Sequence, residues 1–179
     1  MINARYTQTA IALHWLMAFL IIATFFLGLT MVDMPGITPT KLKYFNWHKW
    51  MGVTALAFAV LRLLWRLTHA APALPSTMPK WQRWAAEFGH FGLYALMFAV
   101  PLSGYLYSLA AGFKVVYLGL FPLPVLIDPN PELKPVLKAT HYVLNMGFAA
   151  LVLIHALAAL KHHFVDRDDI LKRILPQHS

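Results

Sequence analysis

The sequence predicts an all-α membrane protein, an antiparallel four-helix transmembrane bundle. Three observations lead there. Of 179 residues, 59% are hydrophobic and only 12% are charged, a balance suited to a few membrane helices and not to a water-soluble domain. The apolar residues gather into four stretches long enough to cross a bilayer. The basic residues collect at the ends of those stretches, where anionic headgroups attract them, so the formal charge of +8 does not imply nucleic-acid binding.

The first span runs from about Ala10 to Val32. Only Arg5 lies ahead of it as a basic residue and no small-residue cleavage site follows, so it reads as a retained helix and not a signal peptide. The second span runs from Trp47 to Leu67, the third from Phe88 to Ala110, and the fourth from Ala139 to Leu160. Pro101 and Gly104 are expected to bend the third, because proline removes a backbone donor. The segment from Asp33 to Asn46, with Pro35, Gly36 and Pro39, reads as an irregular linker, as does His69 to Gln82, with Pro72, Pro75 and Pro79. Between Phe113 and Lys138 lie Pro122, Pro124, Pro129, Pro131 and Pro135 among apolar residues, a composition expected to form a lid over the bundle mouth. From Asp166 to Ser179 the chain is charged and is expected to be a short helix or a frayed end. No internal repeat, phosphate loop or nucleophile motif appears, and residues 1–179 read as one transmembrane domain.

Arg5, Arg62, Arg66, Lys80, Arg83, Lys161, Arg167, Lys172 and Arg173 fall on one side of the membrane, and Lys41, Lys43, Lys49, Lys114, Lys134 and Lys138 on the other. The richer side is read as cytoplasmic, which puts both termini there. Trp15, Trp47, Trp50, Trp65, Tyr105 and Tyr107 near span ends suit the interfacial aromatic belts.

Function is signalled by five histidines in or at the edges of the spans: His14, His48, His90, His141 and His155. Ionisable groups in a bilayer are costly and usually face the bundle interior or a bound group, and neutral imidazole is the commonest metal ligand. With no cysteine in the chain, disulfides, thiolate-held iron–sulfur clusters and thiolate-ligated haem are excluded. His141 and His155 are 14 residues apart, about 21 Å along a helix and close to a whole number of turns. One helix face therefore offers ligands at two depths.

The same step of 14 residues leads from His14 to Gly28, from His48 to Arg62 and from His90 to Gly104. Antiparallel alignment then gives two layers. The outer one holds Gly28, His48, Gly104 and His141, and the inner one holds His14, Arg62, His90 and His155. Two histidines from different helices, with glycines that let a flat ring approach the backbone, suit a haem in the outer layer, with His48 and His141 as axial ligands. Along the second span His48, Gly52, Ala55, Ala59 and Arg62 share one face, which fits a macrocycle but also ordinary close helix packing. In the inner layer His14 and His155 are the preferred ligands. His90 is a supporting residue able to bond a propionate, or else itself a ligand. Arg62, expensive within a span, suits a haem propionate as counter-ion; snorkelling is its alternative and the preferred reading for Arg66. His162 and His163 fall at the interface, His69 in a loop and His178 in the tail, so none is a ligand candidate.

These features resemble the bacterial cytochrome b561 family of four-helix di-haem membrane proteins over nearly the whole chain. The carriers are Ile11-Ala12-Leu13-His14-Trp15-Leu16, His48 with Gly52, Gly89-His90, and the stretch from His141 through His155 to His162-His163. The helical plan is also similar to cytochrome b subunits of membrane hydrogenases and formate dehydrogenases. The resemblance implies two b-type haems in a bacterial inner membrane, electron exchange with ubiquinone and, for one branch, oxidation of periplasmic superoxide to oxygen. Bis-histidine ligation would confine the chemistry to electron transfer at the ring edge or propionates.

The outer lysines fit that branch. Six of them oppose Asp33, Asp128 and Glu132, a net positive mouth that would speed the arrival of a small anion. Lys49, beside a proposed ligand, and Lys138, three residues before another, are the candidates to guide superoxide or hold a propionate, the alternative being the interfacial anchoring usual for lysines that flank a span; a substrate role for Lys138 rests partly on the family's lysine in the matching motif. Two other readings stay open: a membrane anchor carrying electrons between a dehydrogenase or hydrogenase partner and quinone, and a non-redox protein whose histidines relay protons or bind another metal.

Overall fold

A computed structural model describes residues 5–176; His178 lies outside them. Four helices dominate: α1 (Gln8–Asp33), α2 (Pro39–Thr68), α3 (Lys80–Ala110) and α4 (Leu133–Phe164). All four are long and apolar enough to cross a membrane. A two-stranded antiparallel hairpin, β1 (Val116–Tyr117) and β2 (Phe121–Pro122), lies between α3 and α4, and a short 3₁₀ turn at Leu171–Arg173 follows α4.

Local chemistry explains the helix limits. Thr7 caps α1 by accepting from the Ala10 amide, and Thr38 caps α2 by accepting from Lys41, each satisfying one of the orphan donors of a first turn. Pro39, expected in a linker, instead opens α2, where its missing N–H costs nothing. The same principle corrects the expectation for α4: Pro135 lies in its first turn, and Asn130 Oδ1 accepts from the amides of Glu132 and Leu133 just before it. α3 begins at Lys80 and continues through Pro101. It ends where Gly112 takes a left-handed conformation at φ 85°, a common helix stop.

Helix α1 packs closely on α2, α2 on α3, and most extensively α3 on α4; α1 and α4 make no comparably close backbone approach among the described residues. Ala59 is fully buried. Met17, Ile11, Leu109 and Phe148 are buried with it. At one end the two chain termini meet. The indole of Trp15 donates to the Ile174 carbonyl at 2.8 Å, Arg5 donates to Leu175 at 2.8 Å, and Arg173 donates to Ala73 at 2.7 Å. The segment after α4 is thus strapped across the ends of α1 and the α2–α3 connection.

Candidate functional site

The outer layer is built twice from the same parts. His48, on α2, lays its imidazole against Gly28 of α1. A β-carbon at Gly28 would stand 3.0 Å from His48 Cε1, so any side chain there would press into the ring. His48 Nδ1 lies 3.1 Å from the Thr24 carbonyl. On the other side of the bundle, His141 of α4 lies against Gly104 of α3, where a β-carbon would stand 2.7 Å from Cε1. His141 Nδ1 lies 3.1 Å from the Val100 carbonyl. In both cases the accepting carbonyl belongs to the residue four before the glycine, so ring and bond together occupy one turn of the neighbouring helix.

A carbonyl only accepts, so both Nδ1 atoms carry the proton and both Nε2 atoms keep a lone pair. This is the tautomer a metal needs, with the second nitrogen fixed by a backbone oxygen. At His141 two more groups fix the same tautomer: Ser103 Oγ is 3.0 Å from Nδ1, and the Asn145 amide donates to Nε2 at 3.2 Å, a bond that ligation through Nε2 would displace. The centres of the His48 and His141 rings are 6.3 Å apart. Two imidazoles holding one metal at about 2.0–2.1 Å from each nitrogen have ring centres roughly 6 Å apart. The donors, their tautomer and their separation therefore fit bis-imidazole ligation.

The inner layer brings together His14 of α1, His90 of α3 and His155 of α4. His14 and His155 have ring centres 6.3 Å apart, matching the outer pair, while His90 and His155 are separated by 5.4 Å. Its hydrogen bonding differs. Arg62, on α2, donates from Nη2 to His14 Nδ1 at 3.2 Å, which places the His14 proton on Nε2. Ligation through that Nε2 requires Arg62 to let go, as it would if a carboxylate captured the guanidinium. The carboxylate of a propionate is such a group, and Arg62 also borders a cleft lined by Tyr6, Trp65, Arg66, His69, Tyr94 and Ile174 through which it reaches the inner surface. The residues present thus fit haem at both levels, with the outer level the more fully prepared.

All five histidines are half-buried. Gly52 faces open space, with nothing within 4 Å of a β-carbon built on it. Lys49 points its Nζ over the Phe113 ring at 5.9 Å from the centroid. Lys138 is exposed one turn before His141 and has no acidic partner among the described residues. His162 lies in an ion-pair cluster with Asp166 and Asp168, apart from the five.

Sequence reasoning missed Thr24, Val100, Ser103, Asn145 and Tyr94, whose ring lies 6.0 Å from the Arg62 guanidinium. Thr24 and Val100 act through backbone oxygen, which no side-chain pattern reveals. Asn145 had a signal: it is a polar residue one turn after His141 inside an apolar span.

The model of a family described as prokaryotic cytochrome b561 matches residues 5–177. The chain is 38% identical to cytochrome b561 homolog 2 of Escherichia coli strain K12 over 176 residues, covering 98% of this chain and 93% of the relative. It is 29% identical to cytochrome b561 homolog 1 of the same strain over 174 residues, covering 97% and 98%. It is also 29% identical to a Yersinia pestis protein named probable superoxide oxidase CybB over 180 residues, covering 98% of each.

Proposed function

The chain belongs to the prokaryotic cytochrome b561 family of membrane electron-transfer proteins, and from that premise we propose that it is a di-haem superoxide:ubiquinone oxidoreductase of the bacterial inner membrane, with both termini cytoplasmic. The observation that carries the di-haem part is the repeated 6.3 Å separation of cross-bundle imidazoles, His48 with His141 and His14 with His155. The superoxide part is supported by the likeness to the relative named probable superoxide oxidase and by the lysines around the outer layer. Two superoxide anions yield two molecules of oxygen and two electrons, which with two protons convert one quinone to quinol.

When bound, haem supplies one-electron transfer. The chain's own residues do the rest. His48 and His141 would hold the outer group through imidazole nitrogen, each ring kept in place by its backbone bond to Thr24 or Val100, and the chemistry supplied there would be electron loss from the arriving anion. Lys49 and Lys138, with the other outer lysines, raise the local concentration of a small anion at that face. His14 and His155 hold the inner level, His90 stands beside them, and Arg62 neutralises a propionate. Gly28 and Gly104 give His48 and His141 room to lie against the neighbouring helix, and Gly52 leaves open space beside α2 one turn past His48. Lipid surrounds the spans, and ubiquinone is reached from within the membrane.

The test is anaerobic mixing of superoxide with the purified protein and a ubiquinone analogue, following haem absorbance and quinol together. Haem reduction followed by quinol formation at half the superoxide consumed is expected. Absence of haem reduction by superoxide overturns the reading in favour of an anchor fed by a partner subunit.

A further inference from the structure

The connection between α3 and α4 carries a feature that electron transfer does not use. Its hairpin turns at Leu118 and Gly119, with φ of 54° and 72°, a tight turn in which Asn-Gly is the favoured pair. A leucine takes the left-handed conformation only at a cost. Around it Leu118 is 51% exposed, Leu120 73% and Phe121 60%, and Val125 and Leu126 are exposed beyond. A polar turn would serve better in water; this one presents a contiguous apolar tip.

The anchoring of the hairpin fixes its depth. The Trp50 indole donates to the Val116 carbonyl at 2.7 Å, and the Tyr117 hydroxyl lies 2.9 Å from Thr54 Oγ1. On the other side the Tyr105 hydroxyl bonds the Pro124 carbonyl. Trp50 follows His48 by two residues and Tyr105 follows Gly104 by one, so two of the three ties lie near the level of the outer layer, while Thr54, six residues past His48, holds the Tyr117 side chain about 9 Å further along α2. Gly28, in the same layer, is four residues short of Val32, the end of the α1 apolar run, which is about 6 Å of helix. The hairpin is therefore held at the margin of the apolar band and does not stand off in water.

Its backbone suits that margin. Gly119 N–H bonds Val116, Leu120 N–H bonds Tyr117, and Leu123 N–H bonds Val115, at 2.9–3.2 Å, while Pro122 and Pro124 have no N–H to satisfy. With these donors satisfied inside the segment, only a few amides, Leu118 among them, are left for headgroups and interfacial water, so the turn can enter the headgroup and acyl boundary, where unpaired backbone groups are costly. We propose that the tip formed by Leu118, Leu120 and Phe121 inserts into the outer-leaflet lipid at the headgroup–acyl boundary, as an interfacial anchor that holds the lid in place beside the outer histidine layer.

The chain has no cysteine, so single nitroxide labels can be placed by Leu118→Cys, Leu120→Cys and Phe121→Cys in the haem-loaded protein in phospholipid nanodiscs. Leu153→Cys, on the exposed side of mid-α4, gives the lipid reference, and Asp128→Cys in the lid gives the aqueous one. An unchanged haem spectrum certifies each variant as folded, and the three tip positions report independently. Collision with oxygen is expected to exceed collision with a water-soluble nickel chelate at the tip, the ratio lying several-fold above that at Asp128→Cys. A ratio equal to the aqueous reference overturns the proposal, and so does low access to both reagents, which would mean that a second copy or another protein covers the tip.

Discussion

The imidazole of His141 occupies the space that a side chain at Gly104 would need: a β-carbon there would lie 2.7 Å from Cε1 and 3.1 Å from Nδ1. Gly104→Ala must therefore move the ring, breaking its bond to Val100. Alanine in place of glycine inside a helix is worth roughly 0.5–1 kcal/mol in the helix's favour, so helix weakening cannot account for a loss. The expected result is near-complete loss of one haem per chain, measured by the pyridine haemochrome assay. Gly28→Ala, with 3.0 Å to His48 Cε1, should lose less.

The pairing of ligands across the bundle gives a second prediction. His48→Ala and His141→Ala should each remove the same spectral and potentiometric component, and His14→Ala and His155→Ala the other. His90→Ala should retain both haems while shifting the inner one. Loss of the inner haem in His90→Ala with retention in His14→Ala would exchange their roles.

Arg62 lies against His14 at 3.2 Å, so its positive charge acts on whatever that histidine holds. Removing a cation near iron favours the oxidised form. Arg62→Met should therefore lower the midpoint potential of the inner haem by tens of millivolts and leave the outer one nearly unchanged, as read by redox titration.

The lysine face is tested by salt. Superoxide oxidation should slow as ionic strength rises, because exposed charges are screened over about 10 Å at 0.1 M. Lys138→Gln and Lys49→Gln should each lower the second-order rate severalfold and flatten its salt dependence. A rate indifferent to salt would remove steering from the mechanism.

The strap at the other end is held by Trp15, Arg5 and Arg173, and its exposed Asp169 accepts from Arg173 at 2.9 Å. That hydrogen bond holds the Asp169 carboxyl below its ordinary value of 3.8, with the Arg173 and Lys172 charges adding to it. A depressed carboxyl stabilises the folded strap above its ordinary value and loses that contribution as pH falls through the lowered one. Limited proteolysis of the tail should accelerate only in strong acid, and Asp169→Asn should produce the same acceleration at neutral pH.

The four helices were legible because apolar runs of bilayer length admit few alternatives. The outer layer was legible because a helix repeats almost in phase every 14 residues, which aligned Gly28, His48, Gly104 and His141 before any coordinates. The reason for the glycines was less accessible. Sequence reading assigned them to the approach of a flat ring, and the structure adds that the imidazoles of His48 and His141 lie directly against them. Helix starts at Pro39 and Leu133 were hidden because proline reads as a breaker until its place in a first turn is known. The inner layer stayed ambiguous in sequence because three histidines share one depth, and the structure sets all three rings within reach of one another.

Each outer imidazole is fastened to the helix that precedes its own, His48 to α1 and His141 to α3. The molecule is thus two helical hairpins, each of which fastens its own outer ring without a bond from the other. Neither half alone can grip a porphyrin from both sides. A group held between His48 and His141 would consequently add a tie across the bundle to the one already made by α2 against α3, and chains starved of haem should be cut more readily by protease in the α2–α3 connection.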